Sequence, residues 1–473
     1  MLFSSATFIY LFLPFVLICY YGLFKWSRTM QNIFLFIMSL IFYGWGEPKF
    51  VFAMIGSIFI NWLFGLLVHK FKEENKINKA KIYIFIDCFL NLGMLFVFKY
   101  LNFTSDIIFS IFGANSPIPK IALPIGISFF TFQAMSYVID IYRDRGEVQK
   151  NILNVGLYIS FFPQLIAGPI VRYETVAQEI KHRKETSDDF FDGFTRFVIG
   201  LGKKVLIANN VAIIADNVFG QVGTGPVSVA AAWLGAIAYT LQIFFDFCGY
   251  SDMAIGLGKM FGFHFLENFN YPYISKSITE FWRRWHMSLG TWFRDYVYFP
   301  LGGSRVKKSK AISNLFLVWL LTGIWHGANW TFIVWGLLYF VLLAIEKTSG
   351  ITEKEGRLIN VVKWLYTMFF VIIGWVIFRA DSLGVAMNYI GYMFGVNNQT
   401  ADFAPFMAML YQSITVTTVG IICSTPIFKI LGQKIKENFL TNIIYACMIA
   451  VIFVLSVSSL VSSSYNPFIY FNF

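Results

Sequence analysis

The amino-acid sequence predicts an all-α polytopic membrane protein with roughly 10–13 transmembrane or re-entrant helices, since a span needs about 20 apolar residues. Two observations of composition and one of pattern predict it. Of the 473 residues, 57% are hydrophobic and 13% are charged, with a mean hydropathy of +0.63, whereas a soluble domain is about one-quarter charged. Phe, Tyr and Trp reach 19%, more ring surface than a dispersed globule can hide. The apolar residues also fall into separate runs of spanning length, divided by short basic loops.

Taken in order, the clear spans are 5–24, 31–46, 50–68, 82–99, 228–247, 311–327, 330–346, 360–378, 408–427 and 441–462. The first is read as a span and not as a cleaved signal, because Met1–Phe24 has no basic leading region and no small-residue cleavage site. Residues 121–139, 152–171 and 194–219 are apolar but interrupted by Pro, Gly or charge. They read as short, tilted or re-entrant pieces, and such backbone is tolerated at membrane depth only where protein or a cavity covers it. No repeat or soluble segment interrupts the pattern, so residues 1–473 read as one membrane domain.

The net charge of +11 would suit nucleic acid, but the cations sit in loops between spans, as the positive-inside rule requires. Lys25 and Arg28, Lys70 to Lys81, Lys276 to Lys310, Lys347 to Arg357 and Lys429 to Lys436 all fall on one side by counting crossings. This places them in the cytoplasm and both termini outside, in a multi-pass membrane protein. Nucleic acid is excluded as a partner; lipid headgroups are expected. The five cysteines have no CxxC spacing and read as small buried apolar groups.

Ionisable groups within spans are costly and are candidates for function. His326 closes an apolar run before Gly327-Ala328-Asn329, and Trp319, Thr322 and His326 share a helical face. It is either a packed core histidine bonded to Asn329 or a carbonyl, or a neutral general base. His286 lies on a stripe of Ile278, Phe281, Trp282, Trp285, Leu289, Trp292, Phe293 and Tyr296, which predicts one interfacial helix. That stripe is an anchor, or else the mouth where Arg283, Arg284 and Arg294 meet an anionic acyl donor. Asp246, with Asp252 and Gln242, flanks a span end and either orients a substrate or caps and packs helices. His69 and His182 fall in solvated basic loops, and His264 reads as structural. Phosphate-loop, HExxH and GxSxG patterns are missing, which removes nucleotide-driven transport and serine-triad hydrolysis.

Phe281-Trp282-Arg283-Arg284-Trp285-His286 and Trp325-His326-Gly327 together resemble the membrane-bound O-acyltransferase family. Leu123 to Phe129, Phe162 to Ile170 and Gln242 to Gly256 extend the likeness. The opening Met1 to Ser5 and the closing Asn466 to Phe471 are similar to its alginate O-acetyltransferase-like branch. The region 402–440 matches least. The resemblance implies helices around a central tunnel, with His326 as the catalytic residue and His286 toward the cytoplasmic side. It implies donor contacts from Arg283, Arg284 and Arg294, and a tunnel lined by Trp282, Trp285, Trp325, Asn329 and Asp246. No resident cofactor or metal is expected; acetyl-CoA or another acyl thioester is the donor. The expected acceptor side comprises an extracytoplasmic acetyltransferase partner and an envelope or extracellular polysaccharide. D-alanyl transfer to teichoic acids and a polytopic transporter are the competing readings.

Overall fold

A computed structural model describes residues 1–223, 225, 227–396, 403–435, 438–463 and 465–469 (backbone only at 403–405). Among these residues the protein is helical and holds no strand. Eight helices are long and apolar enough to cross a membrane. With the shorter helices needed below, the order is α1 (Phe8–Leu23), α2 (Arg28–Gly44), α3 (Val51–Glu73), α4 (Ile77–Ile111), α5 (Ile127–Tyr142), α6 (Ile152–Ser160), α7 (Ser187–Gly220) and α8 (Val229–Met260). These are followed by α9 (Ile278–Arg284), α10 (Met287–Phe293), α11 (Lys308–His326), α12 (Trp330–Ser349), α13 (Arg357–Arg379), α14 (Leu383–Met393), α15 (Phe403–Cys423) and α16 (Phe439–Ser462). Each of the ten clear spans read from the sequence corresponds to one of these helices. Tyr470 and Phe471 of the closing motif lie outside the described residues, as do parts of 402–440.

By internal contacts the chain divides into two compact units, residues 1–197 with 250–266, and residues 198–249 with 267–473. In the first unit, α5 is a buried piece, apolar but carrying Gln133, Ser136 and Asp140 in its interior. Its entry is fixed by Gly126, whose φ of +74° suits glycine and whose ideal Cβ would stand 2.7 Å from the Leu165 carbonyl oxygen. The two sequence motifs at 123–129 and 162–170 therefore pack on each other. Arg28 and Arg183 converge on Glu185, and Tyr20 and Asn32 complete the network. This largely buried set, with Arg28 and Glu185 partly exposed, ties the first two helices to the loop at 183–185.

In the second unit, α11 and α12 form a tight hairpin. An ideal Cβ on Gly323 would lie 2.6 Å from the Phe332 carbonyl oxygen, and one on Gly336 would lie 2.5 Å from that of Trp319. The crossing of α7 and α8 is equally close, with 2.8 Å from an ideal Gly249 Cβ to the Gly200 carbonyl oxygen. Two sequence expectations are corrected here. Residues 194–219 are not an interrupted piece: they belong to one 34-residue apolar helix, because its buried Lys204 meets Asp246 at 2.6 Å. Nor is 278–296 one interfacial helix. It breaks at His286, whose φ of +43° is left-handed, and the helices on either side are seven residues each.

Candidate active site

Both singled-out histidines are buried in the second unit. His326 ends α11, where Gly327 turns the chain; a Cβ on Gly327 would fall 2.2 Å from the Phe332 ring. Asn329 then caps α12 by accepting the Thr331 N–H (3.2 Å) and donates to the Asp381 carbonyl (2.8 Å). The His326 ring meets Trp325, Trp335 and Phe378 edge to face, at centroid distances of 5.0, 5.0 and 5.1 Å. Ring edges against ring faces are the favoured aromatic geometry, so the imidazole orientation is set by packing.

One face of His326 opens into a narrow chamber with about 10 Å³ of free space, walled also by Ile243, Phe247, Trp285, Trp335, Trp375, Phe378 and Ile469. This is room for about one water. A second cavity of about 620 Å³ adjoins it, because Phe378 and Ile469 line both. This vestibule presents Asp216 near the end of α7, Gln242 from the middle of α8, Asn329 at the cap of α12, and Arg379 and Asp381 at and just after the end of α13, over Phe219, Tyr239 and Phe332. Arg379 pairs with Asp216 and lies 4.6 Å and 4.9 Å over the Phe219 and Tyr239 rings. Carboxylate, amide and guanidinium groups over aromatic faces make a polar, stacking-competent surface.

His286 stands one aromatic layer behind the chamber. Its ring packs on Phe247 at 4.7 Å and on Trp325 at 6.1 Å. The backbone break that carries it is held by residues 268–270: the Met287 N–H donates to the Asn268 carbonyl and the Asn270 N–H to that of Arg284, each at 2.9 Å. These contacts also fix the tautomer. The Ser288 N–H donates to Asn268 Oδ1 (3.2 Å), so that atom is an acceptor, and His286 Nδ1, 3.2 Å from it, must carry the proton. Nε2 is then the basic nitrogen.

The remaining predicted residues are distributed as follows. Trp285 lines the chamber and Asn329 the vestibule. Trp325 packs between the two histidines. Trp282 belongs to an adjoining ring cluster with Trp319, Trp335 and Tyr339. Asp246 sits beneath the chamber wall, paired with Lys204 and accepting the Ile469 N–H at 2.7 Å. Of the three arginines, Arg284 pairs with Glu280 (2.9 Å) and Arg294 with its neighbour Asp295 (2.8 Å), while Arg283 is exposed. Asp252 pairs with Arg196 in the first unit. Sequence reasoning missed Arg379, Asp216, Lys204, Trp335 and Trp375. The signal for Lys204 was present as a cation inside an apolar run.

Residues 147–380 match the membrane-bound O-acyltransferase family profile, which spans both histidines. Over its whole length the chain is 39% identical, across 495 aligned residues, to the whole of a probable alginate O-acetylase of Pseudomonas putida. It is 45% identical over 398 residues to one from Pseudomonas syringae pv. tomato, covering 83% of this chain and 75% of that one. It is 33% identical over 475 residues to a peptidoglycan O-acetyltransferase of Helicobacter pylori, covering 93% and 89%.

Proposed function

Because this chain belongs to the membrane-bound O-acyltransferase family and is a multi-pass membrane acyltransferase, we propose that it transfers acetyl groups for O-acetylation of an envelope or extracellular polysaccharide. The donor is a cytoplasmic thioester, acetyl-CoA by preference, and the acetyl leaves on the opposite side of a bacterial plasma membrane. Two kinds of support bear on this. The relatives matched over most of their length are an alginate O-acetylase and a peptidoglycan O-acetyltransferase. The basic segment Lys307 to Lys310 begins α11 and His326 ends it, which by the positive-inside rule supports a vestibule on the exterior side.

The observation that carries the reading is His326 in a water-poor chamber that shares two wall residues with a polar vestibule. In the proposed reaction His326 takes the proton of an acceptor hydroxyl while its oxygen attacks the thioester carbonyl. The C–O bond forms, the C–S bond breaks, and the proton passes to the departing thiolate. A positioned base of this kind contributes about 10²–10⁴ in rate, and the confined geometry adds orientation. Arg283, Arg284 and Arg294 are the cationic surface proposed to meet the donor phosphates. His286 shares in the chemistry by positioning the donor or by proton handling. The acceptor arrives as the glycan itself or as a hydroxyl of an extracytoplasmic partner protein.

The test is product analysis. Mild alkali releases acetate from the envelope glycan of cells carrying the wild-type chain, and His326→Ala lowers that release by about 10²-fold or more at equal amounts of folded protein. Release of D-alanine instead of acetate would replace the proposed cargo. Undiminished acetate from His326→Ala would remove the assignment of the base.

A further inference from the structure

Between the vestibule and the chamber the wall is shared by Phe378, near the end of α13, and by the stretch 465–469, outside the spanning helices. Pro467, Phe468 and Ile469 line the vestibule, and Ile469 also lines the chamber. Polar contacts hold this strap. Lys204 Nζ donates to the Pro467 carbonyl and to Asn209 Oδ1 (2.8 Å), and it pairs with Asp246 Oδ1 at 2.6 Å. Asp246 Oδ2 accepts the Ile469 N–H (2.7 Å), Asn209 Nδ2 donates to Asn466 Oδ1 (3.2 Å), and the Tyr465 hydroxyl donates to Asp216.

The Lys204 and Asp246 side chains are 1% and 2% exposed. A buried ion pair contributes little net stability over a well-packed apolar pair, so its return here lies in geometry. The local backbone agrees. Lys204 sits in a π-helical turn, Lys203–Ala208, a distortion frequent at functional sites. The close Gly200–Gly249 crossing brings this turn against the turn of α8 that carries Asp246.

We infer that Lys204 and Asp246 are positioning residues for acyl transfer. They clamp the strap so that Ile469 partitions the two cavities, admitting an acceptor hydroxyl to the thioester while holding bulk water back. This rests on the acyl-transfer reading of the chamber. With the partition open, water takes the place of the acceptor: its oxygen bonds to the carbonyl carbon, the C–S bond breaks, one water proton passes by way of His326 to the thiolate, and the product leaves as acetic acid, which gives its remaining proton to solvent to become free acetate. Transfer and hydrolysis then share the donor and His326 and differ only in the nucleophile, so their ratio reads the partition.

The experiment uses membrane vesicles of the producing cell containing the full chain and acetyl-labelled acetyl-CoA as probe. It measures thiol release, free acetate and alkali-labile ester. Ile469→Ala opens the wall with the clamp intact; Asp246→Asn and Lys204→Gln loosen the clamp. In each, the ratio of free acetate to ester should rise by about tenfold or more, since a displacement of about 1 Å at a reacting centre costs up to about 10²-fold. Ile469→Val should restore most of the coupling. Parallel loss of thiol release and ester at a constant ratio in all three variants would overturn the inference and leave a structural strap. His326→Ala separates the two ideas: it should lower thiol release by about 10²-fold or more, and wild-type thiol release from it would instead refute the reading of the chamber.

Discussion

Replacing His286 by Ala, Asn and Gly tests the left-handed break that distinguishes this structure from the continuous helix its aromatic stripe suggests. All three variants lose the ring contact with Phe247 and the hydrogen bond to Asn268, so those losses cancel in the comparison and the backbone decides the order. In a helix interior Gly is about 1 kcal/mol worse than Ala. At a φ of +43° the preference reverses, because a Cβ in the left-handed region costs about 1–2 kcal/mol that Gly does not pay, and Asn tolerates that region better than Ala. The swing between the two backbones is therefore about 2–3 kcal/mol, obtained by adding the two preferences. Apparent unfolding temperatures in one detergent, followed by tryptophan fluorescence, should rank the Gly and Asn variants above Ala. An Ala variant that outlasts both would mean that 278–293 is one continuous helix, and the tautomer assigned to His286 would fall with it.

Two further outcomes follow from the same geometry. Gly323→Ala and Gly336→Ala should each cost about 1–3 kcal/mol by overpacking the α11–α12 crossing and should lower transfer, because His326 and Trp335 ride on those helices; Gly93→Ala, inside α4 where nothing lies within 4 Å of the added Cβ, is the control that should leave transfer unchanged and gain up to about 1 kcal/mol of stability. The exposed His264 supplies a pH dependence. Burial lowers its pKa, but Glu179 and Asp189, at 2.9 Å and 3.4 Å from its ring nitrogens, outweigh that and raise it above its ordinary value of 6.5. A raised folded value means the stabilisation is full below the unfolded pKa of about 6.5 and fades as pH rises through the folded one. Wild type should lose stability across that window and His264→Gln should not; identical pH profiles would show that the contacts are idle.

How much of this was legible in the sequence depended on how far apart the interacting residues lie. The ten clear spans were readable because length and hydropathy are local properties, and the His326 turn because Gly327-Ala328-Asn329 is a local stop. The break at His286 was not, since an aromatic stripe with helical spacing survives a single left-handed residue and histidine carries no signal for that conformation. The interruption at 194–219 was misread because the group that makes Lys204 tolerable, Asp246, lies 42 residues on, as the numbering gives. The ion pairs of Arg284 with Glu280 and of Arg294 with Asp295 were within reach of the sequence, since the partners stand four residues and one residue away. The vestibule depends on Asp216 meeting Arg379, a long-range pairing that only the fold reveals.

The contacts around the two histidines bear on what each can contribute. His326 is set by ring packing on a rigid hairpin and faces the chamber directly. One imidazole suffices for the proton balance of the proposed transfer, because the proton taken from the hydroxyl is the one the thiolate needs. His286 is set by hydrogen bonds to a loop, with its proton committed to Asn268. It touches Phe247, a chamber wall, and Trp325, a neighbour of the His326 ring. In the proposed transfer this contact gives His286 a route to donor positioning through the placement of those two rings.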